Sequence, residues 1–377
     1  MKIAFISDAA FPWHVGGVEQ TERLEAEYLA KSHDVHFFSF IWKGMRREFT
    51  DKGIHYHCSH YLTDSEFYRH KRRSIREAFI FSMVAWRIFS DRFDVVQVNA
   101  FPYLHLPVVK LYCRITGAKL IMDVAEYWGR DSWKGYLGGV LGGAMSDYTN
   151  WTLSGADAYI ANPGRACDGL ISIGIPRRKI NQFTPILDDR EISAVNAPQR
   201  RGVVVYMGRL IKEKRFDRWI DAIKKASLRD RSIRGVIVGD GPEREHIRHT
   251  VSALGLSGVI ELRRYYPKRR DAHRVLKGAS LFLNMSEREG LSATALESIA
   301  LGTPVLLPSY SPIPSIVKSM CVVRGKDSMA DWILRITRSK SKRRFIRNER
   351  KLDSFRASGI PSFYRRLFRK LSIGASD

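Results

Sequence analysis

The feature that most constrains this chain is an alternation of short apolar runs with amphipathic helical stretches. It is clearest from Leu281 to Leu307. Leu281-Phe282-Leu283 is an apolar run, Asn284 to Gly290 a polar turn, and a helical stretch then carries Leu296, Ile299 and Ala300 on one face. Gly302 and Pro304 close it before a second apolar run, Pro304 to Leu307. Strand, loop, helix, strand is the unit of a parallel sheet buried on both faces.

The unit recurs in both halves. Lys2 to Ser7, Val35 to Phe40, Val95 to Asn99, Lys119 to Asp123 and Ala158 to Ala161 read as strands, with helices at Val18 to Lys31 and Leu104 to Thr116. A fresh series begins at Gly202 with a strand to Met207. It continues with helix Phe216 to Ala226, strand Gly235 to Val238, helix Pro242 to Leu254 and strand Val259 to Leu262. Asp188 to Arg200 is polar, contains a proline, and reads as a linker. The expected architecture is α/β, with two Rossmann-like, doubly wound parallel-sheet domains. The 377 residues suffice for two cores. The expected division is 1–187, linker 188–200, 201–355, and a basic helix over 356–377.

Lys and Arg number 63 against 39 Asp and Glu, a formal charge of +24. Such a field draws polyanions: nucleic acid, anionic lipid or phosphorylated substrates. Nucleic acid is disfavoured, because zinc-finger spacing and an aromatic RNP-type strand are missing and the basic residues are spread along the chain. Cys58, Cys113, Cys167 and Cys321 form no C-x-x-C pair and read as small buried hydrophobes of a reducing compartment. The N-terminal apolar run, broken by Asp8, is too short for a signal peptide, and no apolar stretch reaches about 20 residues. A cytoplasmic location, extending to the inner membrane face, is expected.

Candidate binding residues gather where strands give way to helices, the ligand end of doubly wound sheets. Glu289 lies in a loop with Gly290 beside it, Ser292 is the expected N-cap, and Glu297 lies a turn inside the helix. A helix N-terminus there offers free N–H groups to an anion. Gly208-Arg209-Leu210 and Lys214 put two cations after a strand, suited to a diphosphate. Gly16-Gly17 follows the first strand at a helix start, and Gly239-Asp240-Gly241-Pro242 is a tight turn with proline opening a helix. G-x-G-x-x-G is incomplete there, since Arg244 holds the third glycine's place, which excludes the dinucleotide fingerprint. Taken singly, each element also reads as a surface charge or a plain turn.

Taken together and in order, these elements resemble the retaining GT-B glycosyltransferases of the group 1, or GT4, family. Glu289 and Glu297 match its E-x7-E element, and Gly239 to Pro242 its G-D-G-P turn. The resemblance implies two domains facing a cleft, with a C-terminal helix crossing back onto the first. It implies transfer of a sugar from a nucleotide-diphosphate donor to a glycan or lipid-linked acceptor with retention. Arg209 and Lys214 would stabilise the departing diphosphate. Glu289 would hold the donor sugar with the backbone of Gly290, Leu291 and Ser292, Glu297 the ribose, and Gly16, Gly17 and Gly239 would line the donor. Neither metal nor cofactor is implied beyond the donor substrate.

Departures are specific. Ala125 stands where relatives carry a histidine, leaving Asp123, Glu126 or His14 to assist on the acceptor side. Lys214-Arg215 replaces a lysine-glycine step, Thr184 to Asp188 lacks the usual Asn-Gly, and Arg263 to Tyr266, at the nucleobase position, lacks a glycine. The rival reading is a catalytically inactive scaffold of the same fold at a membrane surface. Two segments bear on a membrane. Residues 64–90 run from a basic cluster at Arg69 to Arg76 into Phe79, Ile80, Met83, Val84, Trp86 and Phe89. They read either as a core helix with a solvated basic end or as a helix resting on anionic lipid. Near the C-terminus, Phe363, Leu367, Phe368 and Leu371 alternate with Arg365, Arg366, Arg369 and Lys370. Arg338 to Lys351 reads as a solvated basic helix face.

Overall fold

A computed structural model describes residues 1–13, 16–62, 68–69, 72–73 and 75–373. The chain divides into two compact units, Met1–Ile186 with the segment from Arg356 onward, and Leu187–Phe355.

Unit 1 is built on a sheet of β1 (Lys2–Ile6), β2 (Asp34–Ile41), β3 (Glu48–Asp51), β4 (Ile54–Tyr61), β5 (Val95–Asn99), β6 (Lys119–Val124), β7 (Ala158–Ala161) and β8 (Ile180–Asn181). Its order is β8-β7-β6-β5-β1-β2-β4-β3, parallel except for the β3–β4 pair. Period-two alternation sends Ile3, Phe5, Val35 and Phe37 to one face and Ala4, Ile6, Phe38 and Phe40 to the other. Helices α1 (Gly17–Leu29) and α10 (Ile360–Lys370) cover the first face. Helices α2 (Ile75–Ala85) and α3 (Leu106–Thr116) cover the second. Two more, α4 (Arg130–Leu137) and α5 (Gly139–Leu153), pack on each other, and a Cβ on Gly142 would come within 2.5 Å of the α4 backbone. That close approach leaves no room for a side chain at Gly142.

The C-terminal aromatics are buried rather than offered to a membrane. Phe363 stacks on Phe183 at 4.1 Å and the Tyr364 hydroxyl donates to Gln97 Oε1 at 2.7 Å. Leu367 and Phe368 are likewise buried, which corrects the second use expected for this segment.

Unit 2 holds a parallel sheet of β9 (Val203–Met207), β10 (Arg234–Val238), β11 (Ile260–Arg263), β12 (Leu281–Leu283), β13 (Val305–Pro308) and β14 (Val322–Arg324). Its order is β11-β10-β9-β12-β13-β14. Helices α6 (Phe216–Arg229), α7 (Arg244–Ala253), α8 (Arg269–Gly278) and α9 (Ala293–Ala300) follow successive strands.

Two expectations are corrected here. Residues 188–200 belong to unit 2: Asp188 caps a short helix, Asp189–Ser193, and Arg200 N–H donates to Gly278 O at 2.7 Å. The Arg338–Lys351 run is not a solvated helix face but includes a 3-10 turn over Lys342–Phe345, with Phe345 buried. Lys342 Nζ donates to the carbonyls of Lys277 and Ala279 at 3.2 and 2.6 Å, satisfying the C-terminal end of α8. Burial lowers its pKa to about 8.

Candidate functional site

In unit 2 the loops leaving β9, β10, β11 and β12 lie at one end of the sheet, because parallel strands share a direction. They are tied to each other by backbone bonds. Gly208 N–H donates to Val238 O at 3.0 Å, Leu210 N–H to Asp240 O at 2.8 Å, and Glu243 N–H to Leu210 O at 3.0 Å. Gly239 has φ +153, and a Cβ there would lie 1.9 Å from Gly208 O. Glycine is required where one motif loop passes over the other.

The β9 and β12 loops are joined as well. Glu287 N–H donates to Glu213 O at 2.9 Å, and Lys214 Nζ pairs with Glu289 Oε2 at 2.5 Å. Both side chains are mostly buried. Asn284, itself buried, donates to the same Glu289 oxygen at 3.3 Å and accepts from Ser286 N–H at 2.9 Å. Arg215 occupies the left-handed region at φ 54, where glycine is the ordinary choice. Its guanidinium grips Asp217 at 2.9 and 2.6 Å and Glu287 at 2.5 Å, so the arginine keeps the turn and ties it to the β12 loop. Arg209 is exposed, and its carbonyl accepts from the buried Tyr206 hydroxyl at 3.1 Å.

Ser292 corrects a detail. It stands at the N-cap of α9 with φ 60 and ψ 75, and its side chain makes no capping bond. A left-handed serine is a strained conformation for a side chain to hold. The turn leaves the first N–H groups of α9 open beside Gly290 and Leu291.

Glu297 is buried on α9 and answers to residues that its neighbours in sequence do not announce. Arg269, at the start of α8, donates from Nη2 to Glu297 Oε1 at 2.6 Å and from Nε to Glu191 Oε2 at 3.0 Å. His273 Nε2 lies 3.6 Å from the same Glu297 oxygen. Burial pushes the Glu297 carboxyl up, but the positive charge of Arg269, with the nearby His273, outweighs it and holds it below the usual range. Tyr265, half-exposed, sits close enough to Arg269 and Glu297 to feel both charges. Arg263 is taken up by Glu261, with two bonds of 2.7 Å.

Gly16 and Gly17 lie in unit 1 after β1. Gly16 is extended and caps α1; a Cβ there would fall 2.2 Å from Glu19 Oε2, so a carboxylate already covers this helix N-terminus. Of the acceptor-side candidates, His14 is outside the described residues and Glu126 is exposed. Asp123 is buried, its pKa raised to about 7 by that burial, and it lies near Glu22 and Glu25. Burial, then the charge of Asp123, raises those two as well. Glu25 Oε2 accepts from Gln97 Nε2 at 2.8 Å. A cavity of about 720 Å³ is lined by Val203, Arg234 and Gly235 at the start of β9 and β10, and also by Glu261 and Arg263 of β11. Among the described residues, no grouping of three or more His, Cys, Asp or Glu could hold a metal ion.

Residues 188–352 match the family model for glycosyl transferases group 1. Over this stretch the chain is similar to that family. The chain is 29% identical over 159 residues to the lipopolysaccharide core biosynthesis glycosyltransferase LpsE of Rhizobium meliloti, covering 40% of this chain and 43% of the relative. It is 27% identical over 158 residues to the colanic acid biosynthesis glycosyltransferase WcaL of Escherichia coli, described as putative, covering 40% and 39%. The matches thus span less than half the length of these curated relatives. Across the whole chain, Anabaena HepE, solved with UDP and glucose, superimposes with a TM-score of 0.67 at 14% identity, covering 98% of this chain and 99% of that one. The fold is therefore that of the GT-B glycosyltransferases, with a parallel-sheet α/β domain in each unit.

Proposed function

We propose that this chain transfers a sugar from a nucleotide-diphosphate donor to a glycan or lipid-linked acceptor, with retention at the anomeric carbon. The observation that carries the reading is the pairing of Lys214 with Glu289 at the strand ends of a group 1 domain. Glu297 stands ionised on the helix that starts from the same loop.

In this reading Arg209 and Lys214 offset the charge that develops on the departing diphosphate. A preformed cation costs no reorganisation at the moment of reaction. Glu289 accepts from donor-sugar hydroxyls, which compete with Lys214 for its oxygens, and the N–H groups of Gly290, Leu291 and Ser292 face the same sugar or phosphate. Glu297 accepts from the ribose hydroxyls. Arg269 and His273 are positioning residues that keep its carboxylate charged, Glu191 holds Arg269 in place, and Tyr265 offers a ring face to the base. Gly17 admits close backbone approach, whereas the space at Gly16 is taken by Glu19 and that at Gly239 by Gly208 O. A second reading, a non-catalytic scaffold, draws on Ala125 and on the self-satisfied Lys214–Glu289 pair, which needs no ligand to be content.

The test is release of nucleoside diphosphate from UDP-, GDP- and ADP-sugars, with the product anomer read by NMR. One donor should be consumed, and Lys214→Ala should lower kcat on the order of 10²–10³-fold without changing Tm by more than a few degrees. Consumption of none, by protein that still binds a nucleoside diphosphate, would favour the scaffold.

A further inference from the structure

Helix α2 and the 3-10 turn that continues it, Trp86–Ser90, bury one side only. Phe81, Val84, Ala85 and Ile88 enter the core, while Phe79, Met83, Trp86 and Phe89 face outward at 64, 62, 51 and 37% exposure. Positions 79, 83 and 86 recur at helical spacing, so the outer residues make one stripe. Trp86 stacks on Phe89 at 5.1 Å, and Phe89 meets Tyr112 of α3 edge-on at 5.2 Å.

The apolar surface continues onto α3, where Leu111 and Ile115 are 41 and 66% exposed. It reaches α5 through Lys110, whose Nζ lies 5.1 Å from the Trp151 ring centroid, with Trp151 57% exposed. The sequence places the α2 apolar residues together; which of them face outward, and the α3 and α5 parts, come from packing. Large exposed apolar side chains that share a face across three helices are unusual on a free-standing soluble surface.

The exposed charges carried by α2 and α3 are cationic, while Asp91 after Phe89 and Asp147, a turn before Trp151, are exposed carboxylates at the edges of the face. Arg76 and Arg114 are exposed on it, and Lys110 lies a turn before Arg114. The only carboxylate of α2, Glu77, is buried, and α3 has none. Aromatics and aliphatics flanked by cations, on convex helical faces rather than in a groove, fit the headgroup–acyl boundary of an anionic bilayer.

We propose that the α2–α3 face of unit 1, extended by Trp151, docks the protein on an anionic lipid surface. Phe79, Met83, Trp86, Leu111 and Ile115 enter the boundary, and Arg76 and Arg114 meet lipid phosphates. No helix among the described residues is long and apolar enough to cross a membrane, so the contact is peripheral. The proposal concerns location and stands or falls separately from sugar transfer.

The experiment is cosedimentation of the full chain with phosphatidylcholine vesicles, with and without phosphatidylglycerol, at low and high salt. Two variants are compared, Phe79→Ser/Met83→Ser/Trp86→Ser and Arg76→Gln/Arg114→Gln. Wild type should bind only the anionic vesicles, and less at high salt. The charge variant should bind about thirtyfold more weakly, two cations at ~1 kcal/mol each, and the apolar variant at least as weakly. Both variants replace exposed side chains, so Tm and stabilisation by a nucleoside diphosphate should match wild type. Absence of wild-type binding, or binding that both variants retain, overturns the proposal. So does self-association in sedimentation velocity that the apolar variant abolishes while vesicles stay bare, which would make this face an interface between copies. Correct vesicle behaviour without nucleotide stabilisation would leave the surface standing and remove the functional reading instead.

Discussion

At the scale of single residues, the two glutamates of the E-x7-E element differ in what holds them. Glu289 is held by a lysine that sequence reasoning already placed beside a diphosphate. Glu297 is held by Arg269, which was invisible in sequence because it lies 28 positions away on another helix. Removing Arg269 leaves a buried carboxylate with His273 alone. Arg269→Gln should therefore destabilise unit 2 by roughly 3 kcal/mol in denaturant unfolding and weaken nucleoside diphosphate binding. A clean loss of stability with unchanged affinity would reduce Arg269 to a structural role. Gly239 makes the opposite kind of case. Its place in a G-D-G-P turn was legible, but its reason, the crossing under Gly208 O, was not. Gly239→Ala should cost about 2–4 kcal/mol by the same measurement.

Asp123 gives a pH prediction with a definite sign. Its carboxyl is raised in the fold to about 7 by burial, so the neutral form is favoured. That stabilisation is complete below the unfolded pKa near 3.9 and is lost as pH climbs to about 7. Asp123→Asn should raise unfolding free energy by roughly 1–3 kcal/mol at pH 8 and not at pH 4. Equal effects at both values would contradict the burial account. A candidate base with this preference for neutrality is poorly placed to act as an anion at low pH.

At the scale of elements, the parallel strands were legible because continuous apolar runs between Gly and Pro signals admit few alternatives. The strand read from Gly202 to Met207 is Val203–Met207, and the helix read from Phe216 to Ala226 runs to Arg229. What escaped were segments whose roles are set by partners distant in sequence. Residues 188–200 look like a linker by composition, yet they supply Glu191 to Arg269 and hydrogen-bond the end of α8. The basic run after Arg338 hides Lys342, which closes the same helix from the other side. The alternation on α10 admitted a membrane contact beside the return onto the first domain, and its apolar side fills one face of the unit 1 sheet. Phe363→Ala should cost about 3–4 kcal/mol in unit 1 unfolding, far more than an interfacial anchor would.

At the scale of the whole molecule, a chain of +24 has more cations than one diphosphate site can use. Arg209 and Lys214 serve the proposed donor, Arg215, Arg269 and Lys342 hold unit 2 together, and Arg76 and Arg114 border the apolar face of unit 1. The central claim is that unit 2 is a working nucleotide-sugar site, and ligand-dependent stability tests it most directly. Thermal unfolding of wild type and Glu297→Ala would be followed with UDP, GDP, ADP and NAD. One nucleoside diphosphate, at about 100 times its dissociation constant, should stabilise wild type by roughly 2.7 kcal/mol and Glu297→Ala far less, with NAD inert. Stabilisation by none, or equal stabilisation of both proteins, would contradict the account.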